Sequence, residues 1–113
     1  MSVPDCIFCK IHRGELPATV VNRADGLLAI EDINPKADVH LLVIPERHIE
    51  TFREVGELSD SEAKRMLEFV AETAKQAGLE EYRLIIFCGP GAGQTVFHLH
   101  WHILGGAFRG LPA

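Results

Sequence analysis

Apolar and polar residues alternate with two different periods along this 113-residue chain, and the changes of period divide it into elements. Between Asp60 and Ala77 the apolar positions Ala63, Met66, Leu67, Val70, Ala71 and Ala74 recur at i, i+3 and i+4, the stripe of an amphipathic helix. Ser59 with Glu62 makes a capping-box pattern at its start, and Gly78 suits the position just past its end. Elsewhere the apolar runs are short and strand-like. Thr19 to Asn22 and Leu27 to Asp32 flank the turn signal Ala24-Asp25-Gly26 and predict a hairpin. Asn34-Pro35 breaks the chain, and His40-Leu41-Leu42-Val43-Ile44-Pro45 is the next strand. Tyr82 to Cys88 is another β-rich run, followed by a glycine loop and a strand over His98 to Leu104. Cys6 to Arg13 carries Ile7, Phe8 and Ile11 on one side and ends at Gly14, a short helical turn. Adjacent strands with one long helix predict an α+β fold with a mainly antiparallel sheet.

Composition narrows the function classes. With 47% hydrophobic and 24% charged residues the chain reads as a soluble globular protein, one domain over 1–113. So small a domain leaves much surface in water, and pairing with a second copy would help it. A formal charge of −5 argues against a nucleic-acid groove, which needs clustered Lys and Arg. It leaves room for a small anion held by backbone amides. No apolar stretch approaches the ~20 residues that span a bilayer. Met1-Ser2-Val3-Pro4-Asp5 has neither the basic nor the apolar region of a signal peptide. A cytoplasmic location is expected, where three cysteines are thiols or metal ligands rather than disulfides.

The candidate chemistry is concentrated near the C-terminus. On a strand, His98, His100 and His102 would share one face, with Leu99, Trp101 and Ile103 packed on the other. Imidazole titrates near neutrality, so each ring can be nucleophile, proton donor or metal ligand. At strand rise His98 and His102 stand about 13 Å apart, too far for all three to share one ion. That spacing favours a division of labour. Directly before them, Gly89-Pro90-Gly91-Ala92-Gly93-Gln94-Thr95 can wrap an anion in backbone N–H groups, with the Thr95 hydroxyl added. It is not a Walker loop, because no Lys follows. Beside a row of imidazoles, phosphate is its natural guest. Cys6-Ile7-Phe8-Cys9 has the spacing of a zinc knuckle or a redox pair, and no thioredoxin-like βαβ pattern surrounds it. Zinc would need two more ligands, which His48 or His98 can supply. Cys88 reads as a small core residue and His12 receives no role. Asp32, where the chain turns, either accepts ribose hydroxyls or caps the turn.

Taken together these residues resemble the histidine triad family, in its Hint-like branch of small nucleotide-binding proteins. The family motif His-φ-His-φ-His-φ-φ, with φ apolar, matches His98 to Leu104 at every position. Gly93-Gln94-Thr95-Val96-Phe97, Leu104-Gly105-Gly106, the run 30–37 (IEDINPKA), the strand 40–45, and Ile7-Phe8-Cys9-Lys10-Ile11 with Gly14-Glu15-Leu16-Pro17 are in the family's style. The resemblance implies a five-stranded sheet with one long and one short N-terminal helix, paired edge to edge in a homodimer. It implies a hydrolase of purine nucleoside phosphoramidates, AMP or GMP derivatives, in which His100 attacks phosphorus and a covalent nucleotidyl-histidine forms. His102 and His40 would assist. Thr95, Gly93 and Gln94 would lie at the phosphate, Asp32 at the ribose, and Ile7, Phe8, Ile11, Leu16, Ile30 and Ile33 around the base. No cofactor is implied for catalysis, but relatives with Cys-x-x-Cys often hold structural zinc, here on Cys6, Cys9, His48 and His98. Two departures stand out. Phe87 replaces the Asn that Hint-like proteins commonly carry before the glycine loop, and the chain stops at Leu111-Pro112-Ala113 without a Trp-containing tail. The Phe87 change keeps open a nucleotide-binding protein with little turnover. Two further chemistries stay open: hydrolysis of dinucleoside polyphosphates by the same histidine, and hydrolysis by a zinc-bound water.

Overall fold

The computed structural model describes residues 5–108; the N-terminal start and the Leu111-Pro112-Ala113 end both named above lie outside them, Asp5 apart. Strands β1 (Val20–Ala24), β2 (Leu27–Glu31), β3 (Ala37–Pro45), β4 (Arg83–Ile85) and β5 (Trp101–Phe108) form one sheet in the order β1-β2-β3-β5-β4. Every pairing is antiparallel. The β1–β2 hairpin turns at Gly26, whose φ of 75° lies in the region glycine enters without penalty. Helix α1 (Ile7–His12) covers one face of the sheet and helix α2 (Asp60–Gln76) the other.

Alternation along the strands feeds both faces. Leu27, Ala29, Leu41, Val43 and Ile103 point toward α2 and pack with Met66, Phe69, Val70 and Ala74. Leu28, Ile30, Leu42 and Ile44 point the other way, toward Phe8 of α1. The α2 capping box forms as its sequence predicts, with the Ser59 hydroxyl accepting from the Glu62 N–H and the Glu62 carboxylate from the Ser59 N–H. Its buried stripe is rotated from the predicted one. Phe69 and Thr73 face the sheet, while Leu67 and Ala71 are exposed. Thr73 is tolerated inside because its hydroxyl accepts a 3.1 Å bond from Asn22 Nδ2.

Two strands are shorter than the apolar runs suggest. β4 spans Arg83–Ile85 rather than Tyr82 to Cys88, and β5 begins at Trp101, so His98 and His100 precede the strand. The ladder with β3 ends at the Val43–Trp101 pair. Beyond it, the last carbonyls of β3 are taken by side chains: Ile44 by His12 Nε2 at 3.0 Å, and Pro45 by His98 Nε2 at 2.7 Å. Leu99 N–H turns instead to the Ile49 carbonyl. At the other end of β5, a Cβ on Gly105 would collide with Leu79, which lets the segment after α2 lie directly on the strand.

Candidate functional site

A cavity of about 540 Å³ opens on the α1 side of the sheet. Its apolar end is built from Ile7, Phe8 and Ile11 of α1, Leu16, Ile30 and Ile33. Its polar end holds Asp32, His40, Thr95, His100 and His102. Leu42 and Val96 join the wall and Lys36 the rim, three residues the sequence reading did not single out. Leu42 was available to it, since two residues after His40 on a strand is the same face. Val96 lies in a loop, where no period points to it.

The imidazoles sit in a network that fixes their protons. The backbone N–H of Lys36 donates to His40 Nδ1 at 3.0 Å, so neutral His40 carries its proton on Nε2. That Nε2 stands 2.9 Å from His102 Nδ1 and 3.3 Å from Asp32 Oδ2. His102 Nδ1 is therefore the acceptor, and its proton resides on Nε2, a buried donor with no partner among the described residues. His100 is set the opposite way. Its Nδ1–H donates to the His98 carbonyl at 2.7 Å, which leaves a lone pair on Nε2 of a ring lining the cavity. Burial holds these rings neutral: it lowers His100 and His40, against the pull of the Asp32 charge, and takes His102 down to about 3.

Asp32 caps its turn, one of the two roles its position suggests. Oδ1 accepts from the Asn34 N–H at 2.8 Å, capping the turn, and the carboxylate also lines the cavity. Asp32, His40 and His102 cluster closely enough to suggest a metal. The proton map speaks against it, because His40 Nε2 cannot both carry its proton and offer a lone pair. Gly93 and Gln94 are not among the lining residues. Buried Gln94 organises the glycine loop from below, accepting from the Gly89 N–H at 2.8 Å and donating to the Glu50 and Val96 carbonyls at 2.7 and 3.0 Å. Phe87 meets His102 edge to face, centroids 5.4 Å apart, and lies under Gly93.

Behind α1 lies a second cluster. Cys6 Sγ is 3.3 Å from His98 Nδ1, Cys9 Sγ is 3.4 Å from His48 Nδ1, and the two Nδ1 atoms are 3.1 Å apart. All four donor atoms lie within 4.8 Å of one another. Tetrahedral zinc, with its usual bond lengths, separates S from N by about 3.6 Å and N from N by about 3.3 Å. The donor set fits such an ion in number, type and spacing. His98 is turned for ligation, since Nε2–H donates to Pro45 and leaves the Nδ1 lone pair facing the thiols. Burial pushes this ring down to about 4 and raises the Cys6 thiol. Binding a cation would reverse the latter by favouring thiolate.

A family model described as the HIT domain matches residues 13–109. The chain belongs to the HIT domain family. An uncharacterized HIT-like protein of Synechococcus elongatus is 46% identical over 109 residues, covering 96% of each chain. A protein of Escherichia coli named purine nucleoside phosphoramidase is 39% identical over 104 residues, 90% of this chain and 87% of that one. A histidine triad protein from Clostridium difficile superposes with a TM-score of 0.85 at 39% identity, over 100% of this chain and 98% of the other. This HIT protein shares with that structure the sheet and helices that place its histidines.

Proposed function

We propose that this HIT protein hydrolyses purine nucleoside 5′-phosphoramidates. The observation that carries the reading is the opposed proton placement on two adjacent rings. His100 offers a lone pair and His102 a proton, their centroids 5.0 Å apart, in one cavity. The base lies among Ile7, Phe8, Ile11, Leu16, Ile30 and Ile33, the ribose hydroxyls on Asp32, and the phosphate near Thr95 and the loop that Gln94 and Gly93 shape. His100 Nε2 attacks the α-phosphorus while His102 Nε2–H donates to a non-bridging oxygen. The P–N bond breaks and the nitrogen, protonated from solvent, leaves as the amine. Water then attacks phosphorus, the P–Nε2 bond breaks, and the water's proton returns to solvent with the monophosphate released. Dividing the displacement in two lowers each barrier. His40 keeps His102 in the donating tautomer.

Zinc is the ion we assign to Cys6, Cys9, His48 and His98; when bound it would cross-link them and supply no reactive water. Two copies would pair through β4, whose Leu84 is 45% exposed at the sheet edge. The same reading treats 1–113 as one domain working in the cytoplasm; among the described residues no helix is long and apolar enough to cross a membrane.

Phe87 favours a second reading, a nucleotide-binding protein of low turnover, because an apolar ring rather than an amide packs on His102. Steady-state hydrolysis of adenosine 5′-phosphoramidate by wild type and His100→Ala decides between them. Turnover in wild type alone supports the enzyme. Equal rates in both proteins, or none in either, sink the enzyme reading, and measurable AMP binding beside that outcome supports the second. A parallel assay with a dinucleoside polyphosphate tests whether the same histidine acts on that substrate class.

A further inference from the structure

Helix α1 takes part in two sites at once. Cys6 and Cys9 reach the cluster with His48 and His98. Ile7, Phe8 and Ile11 of the same turn and a half form a cavity wall. Phe8 joins the two directly, its ring edge-on to His98 at 5.9 Å and to His100 at 5.0 Å. His98 has the same double character. Its ring faces the thiols, and its carbonyl accepts the hydrogen bond from Nδ1–H that orients His100.

A helix of six residues does not hold itself, since isolated helices shorter than about 12 residues are marginal in water. Its position depends on tethers. One is the cluster. The other is His12, whose Nε2–H donates to Ile44 and whose ring lies parallel to that of His98 at 6.5 Å.

We propose that the Cys6–Cys9–His48–His98 cluster tunes the nucleotide cavity, so that a metal ion there and a nucleotide in the cavity bind cooperatively. Drawn together by a cation, the four donors fix α1 as the base wall and the His98 carbonyl beneath His100. With the cation removed, α1 keeps its His12 bond, its apolar packing through Phe8 and Ile11 and the weaker thiol–imidazole contacts, and the wall loosens. The coupling is reciprocal: any factor by which the ion tightens nucleotide binding is the factor by which nucleotide tightens the ion. This rests on the nucleotide reading above.

The test uses the full chain, zinc-loaded and chelator-stripped, with AMP as probe. Calorimetry is expected to show AMP binding about tenfold weaker to the stripped protein, and AMP to strengthen zinc retention against a chromophoric chelator by the same factor. Amide exchange should speed up in 6–13 and 98–100 on stripping while β2, β3 and β5 stay protected. The KM for phosphoramidate should rise more than kcat falls. His12→Ala keeps every ligand and every cavity residue, so its loaded form should bind AMP as wild type does. Its stripped form should bind more weakly than stripped wild type. AMP affinity unchanged by stripping, or loss of protection across the whole sheet, overturns the coupling. AMP binding in neither form removes the nucleotide reading and the coupling with it.

Discussion

The two faces of the sheet are built to different standards. Toward α2 lies a continuous apolar core of side chains from β2, β3, β5 and a 17-residue helix. Toward α1 lies a smaller cluster of Leu28, Ile30, Leu42, Ile44 and Phe8, with Cys6, Ile11 and Val96 packed against it, then imidazoles, a carboxylate and a cavity. The same strands serve both, through nothing more than side-chain alternation. The first face can be organised by apolar burial alone. The second gives up apolar surface to the site and is held instead by directional bonds: Pro45 to His98, Ile44 to His12, Lys36 to His40. Stability and chemistry are thus separable by face, and substitutions should divide accordingly.

The largest separation is expected at His100. Replacing it with Ala should cut kcat/KM by about a thousandfold or more, measured on adenosine 5′-phosphoramidate, while the denaturant midpoint stays near wild type. Ile103→Ala, on the α2 face and fully buried, should do the reverse: a loss of about 2–5 kcal/mol in chemical denaturation with kcat per folded molecule unchanged. A loss of kcat at Ile103 equal to that at His100 would end the distinction.

Acid should find the α1 face first. His102 falls from 6.5 to about 3 on folding because it is buried, and His40 moves in the same direction. Between these values the unfolded chain binds more protons than the folded one, so stability rises with pH there. It should be fully present above pH 6.5 and lost progressively as pH falls toward 3. Melting temperatures between pH 4 and 8 check this, and His102→Gln should flatten the slope. The smallest effect belongs to the α2 cap, where Ser59→Ala should cost about 1 kcal/mol in a urea titration and leave turnover alone.

Much of the α2 face was legible in the sequence because it follows local rules. The Ser59–Glu62 cap, the Gly26 turn and the alternation in β2 and β3 are each dictated within a few residues. The helix stripe shifts on one flank because Leu67 and Phe69 are both apolar, and because burial of Thr73 depends on Asn22, 51 residues away. The α1 face was legible by resemblance more than by pattern. Alternation alone put His98 and His100 on a strand. It could not foresee that β3 ends at Pro45 and offers its last carbonyls to imidazoles. The part played by Gln94 beneath the glycine loop, and by Lys36 through its amide, leaves no trace in residue type.

That last amide has a consequence of its own. The histidine pair has a polarity: one end receives from the main chain, the other ends in the buried Nε2–H of His102. Reversing it would turn His102 from a donor into an acceptor, so that the phosphate oxygen of the proposed reaction would meet a lone pair. What prevents this at its origin is a peptide N–H, present whatever side chain position 36 carries. A survey of substitutions there would call the position permissive. Proline, which lacks the N–H, is the one natural residue that would erase the direction of the relay while leaving every histidine in place.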